Sequence, residues 1–178
     1  MRSLPEAWYA IPLRLMVGLG FMAHGYAKVA RGPEAFGNIL HALGAPAPSL
    51  LAWATIAVEL VGGLAVLVGA FIPLVSLPMS IVLLSAIYSV HLPYGFSSIK
   101  LESVTATGAH FGPPGYETDL LYLAAIVALV IGGSGPLALD RLLRPAAARG
   151  AEEPAHHAAS RCAVSLSSGI ESLESVWR

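Results

Sequence analysis

Charge is scarce in this chain. Only 12% of its 178 residues are Asp, Glu, Lys or Arg, and 56% are hydrophobic, whereas a typical soluble domain carries roughly 25% charged residues. Mean hydropathy is +0.69. No formal charge occurs between Leu60 and Ile99, and none between Leu120 and Leu139. Stretches this long without charge exclude an ordinary solvated surface there. The net charge of −1, with no basic stripe, excludes a nucleic-acid partner. Cysteine is scarcer still. Cys162 stands alone in the tail, which excludes an internal disulfide, a CxxC pair and a cysteine-ligated cluster within this chain. Any electron-transfer role must borrow its redox centre from a quinone, a bound cofactor or a partner subunit. No three-ligand metal spacing occurs, and His156-His157 reads as solvated chain.

What remains is apolar. Four runs stand out: Ile11–Ala30, Leu50–Ile72, Leu74–Leu92 and Leu120–Leu139. About 20 apolar residues at 1.5 Å each cross a hydrocarbon core, so each run qualifies as a spanning helix. The fold class expected is an all-α membrane protein, a four-transmembrane-helix bundle over residues 1–144. Its spans cover about 10–30, 49–70, 73–92 and 118–138. The first run is read as a retained helix, because Arg14, His24 and Lys28 interrupt what would be the uncharged centre of a signal peptide.

Between the first two spans, Gly32-Pro33 opens and Gly44 with Pro46 closes a short amphipathic helix, residues 33–43, expected to be an interfacial helix along the membrane surface or, alternatively, a loop helix packed on the bundle. Phe36, Ile39, Leu40 and Leu43 share one face of it. The turn Gly69 to Pro73 is so short that spans two and three must be antiparallel neighbours. The loop 93–116 carries alternating apolar residues that hint at a small hairpin, and its length suggests a lid over the ends of the helices near His24 and Lys28. The Ala, Glu and Ser-rich tail, 145–178, is expected to be disordered and cytoplasmic.

The exceptions to the apolar rule carry the chemistry. Glu59 lies in the middle of the second run, and Arg14, His24 and Lys28 lie in the first. Ionisable side chains at membrane depth are costly, and they persist where they face protein or water and have partners. Around the first helix, Lys28 lies about 40° from Arg14, and His24 about 40° beyond it. Counting from the ends of the runs, His24 sits roughly 9 Å deep, Glu59 roughly 13 Å and Arg14 roughly 24 Å, from the 1.5 Å rise. Glu59 is thus level with His24 and within extended reach of Arg14. Gly18, Gly20 and Gly25 thin the first helix, and Gly62 and Gly63 leave room beside Glu59.

Three readings stay open at this point. One is a polar clasp that sets helix register. Another is a ligand site, in which Glu59 and His24 handle protons while Arg14 and Lys28, with Tyr88 and His91 at the mouth, bind a quinone headgroup or small anion. The last is a proton or ion pathway. Trp8, Tyr9, Tyr94, Tyr116 and Tyr122 fit an aromatic belt.

The chain resembles the DoxX family of small bacterial membrane proteins. The resemblance rests on Leu13-Arg14-Leu15 and His24-Gly25-Tyr26-Ala27-Lys28 in the first run, and on Glu59-Leu60-Val61-Gly62-Gly63 in the second. It continues with His91-Leu92-Pro93-Tyr94-Gly95-Phe96, then Gly112-Pro113-Pro114-Gly115-Tyr116-Glu117, and closes with Gly132-Gly133-Ser134-Gly135 and Leu139-Asp140. It covers about residues 10–143. The resemblance implies a four-helix membrane bundle. For one branch, the DoxD-like proteins, it implies a subunit of a thiosulfate:quinone oxidoreductase; for others, membrane complexes that handle thiol and oxidative stress; for distant relatives, assembly or trafficking factors. It carries no agreed catalytic residues to this chain. Two roles are therefore expected: a subunit or accessory of a redox-linked (quinone, sulfur or thiol) membrane complex, or a non-enzymatic scaffold.

Lys and Arg counts set the orientation. The terminal side carries Arg2, Arg141, Arg144 and Arg149, against Lys28, Arg31 and Lys100 on the other. The positive-inside rule places both termini in the cytoplasm, with the protein in the inner membrane. A reporter fused after Arg149 is expected to register as cytoplasmic and one inserted near Thr105 as external; the reverse pattern would invert the topology.

Overall fold

The structure is a computed structural model that describes residues 8–140. The expected tail, 145–178, lies outside the described residues. In chain order the elements are α1 (Ala10–Arg31), α2 (Pro33–Ala42), α3 (Pro48–Val68), α4 (Ile72–Tyr94), β1 (Leu101–Thr105), β2 (Gly108–Phe111) and α5 (Glu117–Gly132). Each of the four long runs and the short amphipathic segment contains a helix, though that of the fourth run ends at Gly132.

The helix boundaries follow from local chemistry. Prolines sit at the first or second position of α2, α3 and α4, where a missing N–H costs nothing. Gly69, at φ +73°, ends α3 in the left-handed conformation that suits glycine. Glu117 and Asp119 place negative charge in the first turn of α5, where the helix dipole favours it.

Two helices, α3 and α4, are long and apolar enough to cross a membrane. The helix α1 has the length, at 22 residues, but Arg14, His24 and Lys28 dilute its hydropathy. The helix α5 has the composition, but it stops after 16 residues. The expected fourth span, 118–138, therefore divides into a helix and a turn around Ser134–Leu137. The all-α expectation is corrected by the antiparallel pair β1–β2. Its residues are extended because Thr105 closes a tight turn: its Oγ1 accepts from the Thr107 N–H and meets the Gly108 carbonyl, which holds the two strands at one end.

Packing follows small residues. The core gathers Val17, Phe21, Val66, Ile72, Met79, Ile126 and Leu129. Around it the helices turn large apolar side chains outward, among them Met16, Val61, Leu74 (72% exposed) and Ile131 (82%). Such a surface suits lipid, where it carries no hydrophobic cost.

α1 and α3 cross in backbone contact. A Cβ on Gly18 would lie 2.8 Å from the Gly63 carbonyl oxygen, and a Cβ on Gly63 would lie 2.9 Å from that of Gly18. By contrast, a Cβ on Gly37 in α2 would meet nothing nearer than 3.9 Å. Gly18→Ala is therefore expected to destabilise the protein by about 1–3 kcal/mol through overpacking. Gly37→Ala should be neutral or slightly stabilising, because alanine favours a helix. Thermal melting in detergent checks the pair, and equal melting temperatures would refute the crossing.

Candidate functional site

Arg14 is buried, and its guanidinium is saturated. Nε donates to the Val66 carbonyl (3.2 Å); Nη1 to those of Ser134 (3.1 Å) and Pro136 (3.3 Å); Nη2 to those of Leu67 (2.8 Å) and Leu137 (3.4 Å). A guanidinium has five N–H donors, and all five are used. The acceptors have a common origin. The last carbonyls of a helix lack partners within it, and Val66 and Leu67 end α3. Ser134, Pro136 and Leu137 belong to the turn after α5. Gly69 makes room, since a Cβ there would sit 2.7 Å from Arg14 Cζ. Asp140 adds to this end: its carboxylate accepts from the Phe71 N–H at 2.8 Å, and its own N–H donates to the Gly69 carbonyl at 3.2 Å.

The reach from Glu59 to Arg14 is thus not what the structure makes. Glu59 pairs with Lys28, whose Nζ donates to both carboxylate oxygens, at 2.6 and 2.7 Å. Glu59 is 5% exposed. The Lys28 ammonium also lies 5.1 Å from the centre of the Phe36 ring, so α2 covers it with an aromatic face. Gly25 creates the space between the helices, because a Cβ there would stand 3.1 Å from Glu59 Cβ and 2.9 Å from the Leu60 side chain. Glu59 itself sits in a π-helical turn, Val58–Gly62, inside α3. Single π turns within α-helices frequently mark functional positions.

His24 is not with them. Its side chain is exposed and makes no hydrogen bond among the described residues. It points off the edge of the buried face of α1 because it is displaced from both Arg14 and Lys28 around the helix. Tyr88 is 80% exposed and also stands outside. His91 is drawn into a pair that the sequence reading did not foresee: its Nδ1 meets Oδ2 of Asp119, a buried acid in the first turn of α5. The signal was present, since His91 closes the third run and Asp119 opens the fourth, and antiparallel neighbours bring those ends together. His91 lies in a second π turn, Ile87–His91.

The loop 93–116 is tied to the start of α5. The Ser98 N–H donates to the Glu117 carboxylate (3.0 Å), and the Thr118 N–H donates to Ser98 Oγ (3.2 Å). Its hydrogen bonds run to the start of α5, and among the described residues none reaches α1.

The arrangement can do two kinds of chemistry. The Lys28–Glu59 pair can hold an anion or carbonyl oxygen on the ammonium and exchange a proton through the carboxylate. The His91–Asp119 pair fixes one imidazole nitrogen and leaves Nε2 to accept or donate. Every buried side-chain nitrogen and oxygen among the described residues has a partner.

The sequence model of DoxX, a family of membrane proteins, matches residues 10–92. The matched stretch includes Arg14, His24, Lys28, Glu59, Tyr88 and His91. The hairpin, Asp119 and α5 lie beyond the match. No curated protein and no solved structure matches the chain.

If Arg14 is a carbonyl clasp, Arg14→Leu should leave buried acceptors unpaired and cost on the order of 2–4 kcal/mol. Arg14→Lys should recover only part of this, because an ammonium carries three donors in place of the five-donor fork. Melting temperatures of the three proteins in detergent test the ranking, which fails if lysine restores full stability.

Proposed function

From the DoxX-family match over residues 10–92, we infer a four-span inner-membrane protein that serves as a subunit or accessory of a redox-linked membrane complex. Its site is the Lys28–Glu59 pair. The lipid bilayer is its surrounding, and a redox subunit handling quinone, sulfur or thiol substrates is its partner. The buried carboxylate carries the reading: Glu59 is an acid held by one lysine, inside a π turn, in a helix otherwise free of charge.

Crossing by α1 and α5 is supported on physical grounds. The charges of α1 at depth are already neutralised inside the protein, Arg14 by carbonyl dipoles and Lys28 by Glu59, so little desolvation cost is left for lipid to oppose. α5 spans about 24 Å at 1.5 Å per residue, and the turn held by Arg14 extends it. With both termini cytoplasmic, Lys28, Glu59 and His91 lie toward the outer face.

In this reading the ammonium of Lys28, 22% exposed along its side chain, donates to the oxygen of a quinone headgroup or a small oxyanion. Glu59 takes or returns the proton. Arg14, His24 and Tyr88 fall outside the site, and His91 acts through its pair with Asp119. A scaffold is the second reading. It is supported by the saturation of Arg14, whose donors are all taken by backbone carbonyls.

The two readings part at Glu59. A neutral amide keeps most hydrogen bonds and lowers the cost of burial, so Glu59→Gln should fold and melt close to the parent. In the redox reading, purification in mild detergent then recovers the variant without the co-purifying quinone or coloured partner subunit. Full recovery of both would sink the redox reading. Lys28→Met alone should cost about 3–5 kcal/mol by stranding the carboxylate, while Lys28→Met with Glu59→Leu should be near neutral.

A further inference from the structure

The hairpin β1–β2 is amphipathic, and its apolar side is bare. Cross-strand partners share a face, and alternate residues along a strand face opposite sides. Ser103 pairs with His110 and Val104 with Ala109, so these two pairs lie on opposite faces. Phe111 follows His110 and therefore joins Val104 and Ala109. Leu101 would fall on the Ser103 side in a regular ladder. The ladder is not regular: between Leu101 and Ser103 the register shifts, so two steps on β1 match one on β2. This bulge sets Leu101 opposite Phe111.

One face is then Leu101, Val104, Ala109 and Phe111. The other is Ser103, Thr105 and His110, where Thr105 Oγ1 lies 3.1 Å from His110 Nε2. All of these residues are exposed, Val104 at 72%. A two-stranded hairpin is at best marginally stable in water without something to pack on.

The stem is held firmly. The Gly112 N–H donates to the Lys100 carbonyl (2.9 Å), and that of Gly115 to the Ser97 carbonyl (3.0 Å). The Glu117 carboxylate holds the Ser98 N–H. The hairpin therefore projects in a set direction from the ends of α4 and α5.

We propose that the apolar face formed by Leu101, Val104, Ala109 and Phe111 rests on the lipid surface of the membrane. Continuity with α4 identifies the occupant. The exposed apolar surface of this spanning helix runs on through Leu92, Tyr94, Phe96 and Ile99 to Leu101, without an intervening charge other than Lys100. Lys100 is placed as interfacial lysines are, its ammonium 6.0 Å from the centre of the Tyr94 ring and free to reach lipid phosphates. The medium that covers α4 thus also covers the hairpin. The inference uses the membrane character of α4 and is independent of any redox role.

Depth measurement on the full chain tests it. Val104→Cys and Thr105→Cys, each in a Cys162→Ser background, are labelled with an environment-sensitive fluorophore. The proteins are placed in nanodiscs of phosphatidylcholine and phosphatidylglycerol, after gel filtration and helical circular dichroism match the parent. The label at 104 should be quenched by nitroxide-bearing lipid and protected several-fold from aqueous iodide, relative to the label at 105. Ala109→Cys reports the same face should Val104→Cys fail to fold. Equal iodide quenching at 104 and 105 would place the hairpin in water and overturn the proposal. Shielding at 104 from both iodide and lipid quencher would also overturn it, since a second copy or a partner protein would then cover the face.

Discussion

Arg14 closes one end of the bundle. A guanidinium in an apolar environment has to satisfy five donors, and helix ends have to satisfy their last carbonyls. Each solves the other's problem here. The single side chain of α1 ties together the end of α3 and the turn after α5. Asp140 adds the start of α4 by binding the Phe71 N–H. Four helices thereby converge on a few polar contacts, and the rest of the packing is arranged around them.

With that end closed, the pitch of α1 against α3 is decided by glycine. Gly18 and Gly63 bring the two backbones together. Gly25 then admits the first half of α3 closely enough for Glu59 to meet Lys28, about 21 Å along α1 from Arg14 at 1.5 Å per residue. The π turn at Val58–Gly62 belongs to the same geometry, because a locally wider turn changes the direction in which Glu59 projects. The ion pair thus depends on the glycine crossing, and the crossing would be pointless with a bulkier residue at any of the three positions.

The helices were legible because they rest on hydropathy and on Pro and Gly punctuation, both local. Gly18, Gly25 and Gly63 were readable as places of close approach for the same reason. The partners of the charged residues were less so. Helical angles placed Arg14, His24 and Lys28 near one face, but angles alone do not tell which neighbour fills it. Arg14 found carbonyls, a class of partner that no side-chain pattern reveals. His24, displaced by 80° from Arg14 at 100° per residue, fell on the exposed side. Asp119 escaped notice because an acid in the first turn of a helix already has an ordinary explanation in the helix dipole. The bulge at Leu101–Ser103 was invisible, since strict alternation would have put Leu101 on the wrong face.

The polar groups of the bundle differ in what they have left to offer. Arg14 has no unused donor, so it can bind nothing more without losing a carbonyl it already caps. Lys28 spends two contacts on the Glu59 oxygens, both acceptors of one acid, and its third N–H makes no hydrogen bond among the described residues, where the Phe36 ring lies over the ammonium. His91 keeps Nε2 after Asp119 takes Nδ1. Both of these incomplete pairs involve a π turn, Glu59 in one and His91 in the other. Both also lie toward the end at which α1 and α4 finish, away from Arg14. Saturation at one end and spare donor capacity at the other is the asymmetry on which the proposed ligand site at Lys28 and Glu59 rests.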